Sequence, residues 1–535
     1  MQLVANEGPF SSFYDTICVI ELDRDDGDII VKHAAGALLQ SIEIDRRSRR
    51  SLSTQLYVGL RDLILSGGMS AGERLPATRT LARDLGLSRT IVVSAFERLM
   101  SEELLEARVG AGTFVSAVLV RRRRPENARK SATRSAARLS KVMLAAASQF
   151  SKRERLPYEP CAFTTAVPAF DAFPLAQWAR LSAKYWRGNR NEVMGYGEPF
   201  GHPDLRSAIA AHLRTNRGIT CDAEQIFIVG GAQQAFHLIG TMLLDPGDKV
   251  WFENPGAIGA RNSLVACGAE IVPVPIDGSG LRVDQGLALA PDFRLAFVTP
   301  SHQQPLGVVM SLERRIALLD AARNAGAWII EDDYDGEFFF GGRPPATLKS
   351  FDTTGHVIYV GTFSKSLFPS LRLGFMLAPP PLVQTLQRLM TTFLPGVPSS
   401  LQAIVANFID EGHFNTHIRR MRRLYAERHE ALCQFAGAHL TGMLNVLPTT
   451  GGLHTIGLLQ GDLAEADVAA AAGDRNVRVS PISRFAVGPS ASRGLVLGFG
   501  GVRPAEIEVG VRSLAAALDG LVKRRPQRRL ESARR

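Results

Sequence analysis

At 535 residues the chain is long enough for more than one domain, and 45% hydrophobic with 21% charged residues is ordinary for a globular protein. No apolar run approaches the length of a bilayer span, the N-terminus has no signal-peptide pattern, and the five cysteines (Cys18, Cys161, Cys221, Cys267, Cys433) form no C-x-x-C pair. These features argue against a membrane protein and a disulfide scaffold, and reduced thiols in a cytoplasm are expected. The formal charge of +10 and pI near 9.6 suit a nucleic-acid binder, but nine of the 62 basic residues are lysine and 53 arginine. Genome base composition also yields such an excess, so the position of the charge decides more than its total.

Residues 1–50 carry an acidic stretch, DRDDGD at 23–28, a basic one, RRSRR at 46–50, and no sustained period. They are expected to be a largely disordered extension. From Ser51 the apolar residues Leu52, Leu56, Leu60, Leu63 and Ile64 recur at helical spacing. A short helix over Ala77–Leu85, a turn at Gly86-Leu87 and a helix from the N-cap Ser88 to about Ser101 follow. That is the helix-turn-helix pattern, with Ser88–Met100 as the recognition helix. LLEARVGAGTFVSAV then reads as two short strands around Gly110–Gly112, a wing. A three-helix protein-interaction module is the alternative, and the wing argues against it. This domain is expected to span 51–117.

Residues 118–157 read as a basic linker, flexible or partly helical, with Arg121–Arg124 followed by Arg129, Lys130, Arg134, Arg138 and Lys141. Its charge suits a DNA backbone; a solvated tether explains it equally well. Beyond it, apolar strand-like runs alternate with helical segments, the pattern of a parallel α/β sheet. In Gln225–Leu244 the run IFIV breaks at Gly230-Gly231, and a helix opens at Ala232 and Gln233, whose N–H groups suit a phosphate. In Ala327–Phe340 the run AWII ends in EDDYD; if the chain stays extended, Asp332 and Tyr334 share a face. An acidic sheet edge or a metal site would also explain this stretch. In Val357–Phe375 the run VIYV ends in GTFSK, which puts Lys365 just past a strand in an apolar setting, with Arg372 seven residues on. Such an amine is a usable nucleophile toward an aldehyde, and Thr362, Ser364 and Arg372 could hold a phosphate beside it. A lysine capping a turn is the plain alternative. An aldehyde bearing a phosphate is pyridoxal phosphate (PLP), whose ring calls for a carboxylate at its nitrogen and a phenol at its oxygen. Asp332 and Tyr334 are candidates.

The strings LPATRTLARDLGLSRTIVVSAFERL, GYGEPFGHPDLRSAIA, GGAQQAF, VTPSHQQPLGVVMSLERR, IIEDDYDGEF, GTFSKSLFPSLRLG and LVLGFG carry a resemblance to known families. Ser51–Val115 resembles the GntR family of winged-helix DNA-binding domains. Tyr158–Leu521 resembles the fold-type I aminotransferases. The fusion in this order is similar to the MocR subfamily of bacterial regulators. The resemblance implies a winged helix-turn-helix over 51–117, the linker, an α/β fold-type I aminotransferase-like domain with a mostly parallel sheet over 158–523, and a basic tail over 524–535. It implies DNA contacts at Arg79, Ser88, Arg89 and Thr90, with Gly110 letting the wing backbone approach DNA. In the large domain it implies PLP bound through Lys365, with Gln304 near the ring oxygen and Tyr196 reaching the phosphate of the other subunit of a homodimer. Arg261 and Arg493 match carboxylate-binding positions. Ala257 departs from the pattern, since relatives usually place there an aromatic that stacks on the ring.

The sequence thus points to a cytoplasmic, nucleoid-associated transcription regulator. It would bind double-stranded operator DNA and sense PLP or a small amino compound, without a membrane role. An active aminotransferase on a DNA tether is the competing reading, and a mere dimerisation scaffold is a third.

Overall fold

A computed structural model describes residues 42, 44–48, 50–116, 140–152, 159–342, 344–394, 396–488 and 493–532. The acidic stretch 23–28 and the Arg121–Arg124 run lie outside the described residues. The chain divides into two units, 1–137 and 138–535.

In the first unit Ser51 accepts a hydrogen bond from Thr54 N and starts α1, Leu52–Ser66, whose Leu56, Leu60 and Ile64 are buried on one stripe. The short α2, Thr78–Asp84, leads through the Gly86 turn to Ser88, which accepts from Ile91 N and caps α3, Arg89–Ser101. The three helices close on Leu81, Val92, Phe96 and Leu99. β1, Leu105–Arg108, pairs antiparallel with β2, Gly112–Val115, across a turn where Gly110 has a φ of +74°. Helix-turn-helix and wing are as the sequence predicts. Part of the expected disordered extension is ordered instead: Ile42 and Ile44 pack against this core, gaining burial for two apolar side chains.

The second unit opens with α4, Lys141–Gln149. Its strands are β3 (Ile226–Val229), β4 (Lys249–Asn254), β5 (Glu270–Asp277), β6 (Gly280–Leu281), β7 (Leu295–Val298), β8 (Trp328–Asp333), β9 (Val357–Thr362) and β10 (Gly374–Leu377). They form one sheet in the order β3-β10-β9-β8-β7-β4-β5-β6. The run from β5 through β4, β7 and β8 to β9 is parallel, while β10 is antiparallel to both neighbours. The apolar runs seen in the sequence are strands covered on both faces. Phe227 and Val229 of β3 enter one hydrophobic cluster, and Ile226 and Ile228 enter the opposite one. Three helices matter for the site: α5 (Ala232–Leu243) after β3, α6 (Ile258–Ala266) after β4 and the one-turn α7 (Phe363–Ser366) after β9. A smaller antiparallel sheet follows, built of β11 (Leu444–Val446), β12 (His454–Leu459), β13 (Ser480–Pro481) and β14 (Gly494–Gly498) in the order β11-β12-β14-β13. The chain ends in α8, Pro504–Ser532, which carries helix into the expected tail. Among the described residues no helix is long and apolar enough to cross a membrane.

Within the expected linker, residues 141–149 form α4, which belongs to the second unit and packs on α6.

Gly361 near the end of β9 fixes how closely β10 can lie. A Cβ there would meet the Phe375 ring at 2.3 Å. Gly361→Ala is expected to cost about 1–3 kcal/mol of stability by overpacking, read as a lower denaturant midpoint; an unchanged midpoint would show that the pair can spread.

Candidate cofactor pocket and DNA-binding surface

A cavity of about 980 Å³ opens at the carboxyl ends of β8 and β9, the usual ligand position in a parallel α/β sheet. Lys365 lies on α7, just past β9, and its Nζ donates to Ala166 O at 2.9 Å. Thr362 caps this turn by accepting from Ser364 N at 3.1 Å. Asp332 and Tyr334 both line the cavity, as the alternation along β8 predicts. The intervening Asp333 is paired instead with Arg217 and with the Tyr359 hydroxyl.

Asp332 is buried, and its Oδ1 meets no hydrogen-bond partner among the described residues. Burial, then the carboxylates of Asp333, Asp335 and Glu253, push its pKa well above the ordinary range, with Lys365 opposing. Burial and the neighbouring Asp335 and Asp332 likewise raise the Tyr334 phenol, which therefore keeps its proton and can donate. Its oxygen is 3.1 Å from His302 Nδ1, which is also 2.9 Å from Asp335 Oδ2.

Gly231, with a φ of +103°, leads into α5, so Ala232 and Gln233 bring a helix N-terminus to the cavity wall. Thr362, Ser364 and Arg372 line the same wall. Arg372 (φ +49°) and Ala166 (φ +64°) are left-handed without being glycine, the strained backbone that functional sites concentrate. Gln304 lines the cavity, whereas Gln303 is buried behind it, donating to Glu253 Oε2 and Pro255 O.

A lysine amine, a buried carboxyl oxygen that meets no donor among the described residues, a protonated phenol and a helix N-terminus in one cavity fit PLP. Two expected carboxylate binders are corrected. Arg261 is buried outside the cavity lining, its guanidinium spent on Phe485 O at 3.0 Å and on Ser151 Oγ. Arg493 is also absent from the lining; it donates to Leu463 O at 2.8 Å and lies 4.0 Å from Asp462. The reason is local: Arg493 is the residue before β14, while Val496 within that strand faces the cavity. The cavity's arginines besides Arg372 are Arg478 and Arg484, which flank the buried run Val479–Ile482. Asp335 and His454 also line the cavity and were missed, and His302 stands behind them against Tyr334 and Asp335. The end of EDDYD was a usable signal for Asp335, as the two arginines around VSPI were for Arg478 and Arg484. Tyr196 is fully exposed and outside its own chain's cavity lining. Ala257 does line it, and Phe236 and Phe485 place rings in the same wall.

On the first unit, Arg79, Ser88, Arg89, Thr90 and the wing tip Gly110 are all exposed. Arg89 and Thr90 open α3 immediately after its cap, where a recognition helix presents its first turn.

Residues 52–115 match the bacterial regulatory proteins of the gntR family, and residues 164–514 match aminotransferase class I and II. The chain is 40% identical over 477 residues to the "Probable rhizopine catabolism regulatory protein MocR" of Rhizobium meliloti, covering 89% of this chain and 95% of that protein. It is 30% identical over 459 residues to the HTH-type pyridoxine biosynthesis transcriptional regulator PdxR of Corynebacterium glutamicum, covering 86% and 94%. Among solved structures it resembles LysN, the alpha-aminoadipate aminotransferase of Thermus thermophilus complexed with N-(5'-phosphopyridoxyl)-L-leucine. The TM-score is 0.63 at 28% identity, with 68% of this chain and 92% of that one covered. The chain belongs to the family of HTH-type DNA-binding transcription regulators that join a gntR-family domain to an aminotransferase class I and II domain, and its cofactor is pyridoxal phosphate.

Proposed function

We propose that the second unit is a sensor, holding PLP at Lys365 and reading PLP or an amino compound in the same cavity to control operator binding by the first unit. The observation that carries this is the buried Asp332, with an oxygen that meets no donor among the described residues, in one cavity with Lys365. The Lys365 amine is the nucleophile that would hold PLP, which would supply an aldehyde and an electron sink when bound. Asp332 would accept from the protonated ring nitrogen, and Tyr334, with Gln304 nearby, would hold the ring oxygen. The N–H groups of Ala232 and Gln233, the hydroxyls of Thr362 and Ser364, and Arg372 would hold the phosphate.

Control needs only that the ligand favour one of two arrangements of the protein. A homodimer is supported by the full exposure of Tyr196 beside the exposed Met194, which suits a side chain that reaches a second copy. In the cell such a protein works in the cytoplasm, on the nucleoid. The relative named for pyridoxine biosynthesis supports an effector related to PLP. Turnover as an aminotransferase is a second reading, favoured by the likeness to LysN; pyridoxamine phosphate released by an amino donor would support it.

On the first unit, Arg89 would enter the major groove and pair with guanine, Arg79, Ser88 and Thr90 would fix the backbone, and Gly110 would bring the wing close.

The visible spectrum of the PLP-loaded protein, followed by borohydride reduction and peptide mapping, tests the cavity. The label is expected on Lys365 and is expected to vanish in Lys365→Ala with the fold retained; a reducible label surviving in that variant overturns the assignment. Arg89→Ala is expected to weaken binding to a footprinted operator by about 1–3 kcal/mol, with little change on scrambled DNA. Equal losses on both would make Arg89 a phosphate contact.

A further inference from the structure

Three buried polar side chains meet beside the cavity from separate segments: His302 from the loop after β7, Asp335 from the turn after β8 and His454 from the start of β12. Two glycines leave the room that His302 occupies. A Cβ on Gly452 (φ +77°) would overlap the imidazole and come within 2.7 Å of Asp335 Oδ2, and one on Gly307 (φ +73°) would lie 3.1 Å from His302 Nε2. His302 Nδ1 faces both Asp335 Oδ2, at 2.9 Å, and the Tyr334 oxygen, at 3.1 Å. A carboxylate at that distance calls for an N–H on Nδ1 and not a lone pair. The same N–H then also points at the phenol oxygen. His302 Nε2 lies 3.5 Å from Thr449 Oγ1. The His454 ring is centred 4.9 Å from that of His302, and its Nε2 donates to Pro305 O at 3.1 Å. Asp332, Glu253 and Lys365 are the other ionisable groups that act on this cluster.

We propose that His302, fixed by Asp335, is a positioning residue that aims the single proton of Tyr334 into the cavity, at the ring oxygen of PLP. The inference rests on the reading of the cavity as a PLP site. A phenol has one proton to give, and its oxygen can also accept. With the His302 N–H directed at that oxygen, the phenol cannot give its proton to His302. Asp335 is also within the phenol's hydrogen-bonding reach, and the donor from Nδ1 makes its carboxylate a weaker competitor for that proton. Without the His302 N–H, Asp335 becomes the phenol's best acceptor and draws the proton away from the cavity. The consequence falls on Lys365. On PLP the ring oxygen neighbours the aldehyde carbon that takes the amine. A donor on that oxygen withdraws negative charge from beside Nζ, so Nζ gives up its proton more readily. Loss of the donor keeps the proton on Nζ to higher pH.

The test uses full-length, PLP-loaded protein and follows the visible band against pH. Tyr334→Phe is expected to raise the midpoint of the band's pH transition by about one unit, the size of one hydrogen bond to a charged group. His302→Leu is expected to raise it as well, and the double variant to add little to Tyr334→Phe. His302→Asn is close to His302→Leu in shape but keeps an N–H near the place of Nδ1, and is expected to hold the midpoint near that of the unaltered protein. Folding of each variant is checked by its denaturant midpoint, and His302→Met replaces His302→Leu should the latter not fold. Equal shifts in the leucine and asparagine variants would make shape the cause and overturn the proposal. A shift in Tyr334→Phe with none in His302→Leu, or no shift in either, overturns it too. So does a midpoint in the unaltered protein that moves on dialysis against EDTA, because His302, Asp335 and His454 bring ligand atoms within 4.8 Å of one another and would then be holding a metal. Each of these outcomes leaves PLP at Lys365 standing; no PLP band in the unaltered protein sinks the cavity reading as well.

Discussion

The parallel pairing of β8 with β9 is the constraint on which the site depends. Its register sets Asp332 beside Val360 and Asp333 beside Gly361, so a carboxylate and a lysine leave the sheet at the same edge. Acidic groups crowd there. Glu331 accepts from the N–H groups of Leu348 and Lys349, Asp333 from Arg217 and Tyr359, and Glu253 from Thr299 and Gln303, while Asp335 is paired with His302. Asp332 reaches the cavity with an oxygen that no described residue serves. Burying such a group is costly unless a donor arrives from elsewhere. A protonated ring nitrogen is a donor of the required charge, and for that reason the acidic strand end and the cofactor belong together.

What was legible in the sequence is what short-range rules determine. An apolar run ending in a glycine, an acid or a lysine marks a strand end, and parallel strands bring their ends to one side of the sheet. Lys365, Asp332, Tyr334, Ala232 and Arg372 were found in this way, and all line one cavity. The wing and the Ser88 cap were equally local. Arg261 and Arg493 could not be placed by such rules, because two or three residues along a helix or before a strand decide which side a long side chain takes. His454 and Arg484 enter the cavity from segments that come together only through tertiary packing.

Arg261 serves the fold rather than the cavity: from α6 it joins Ser151 to the turn carrying Phe485, and Asn262 next to it mimics a strand partner for Ser151. The first turn of α6, with Ala257 at its cap, forms part of the cavity wall. The cavity and the segment Ser151–Lys152 therefore meet the same short helix.

Whether that meeting can control DNA binding is a question of magnitude. Moving a two-state equilibrium from 1:99 to 99:1 takes about 5.5 kcal/mol of differential affinity. One hydrogen-bonded contact to a charged group contributes roughly 1.5–3 kcal/mol, so a single new contact in the cavity falls short. Control of that size would take several contacts that differ between the two arrangements, and it would require the cavity only to distinguish ligands, not to turn them over.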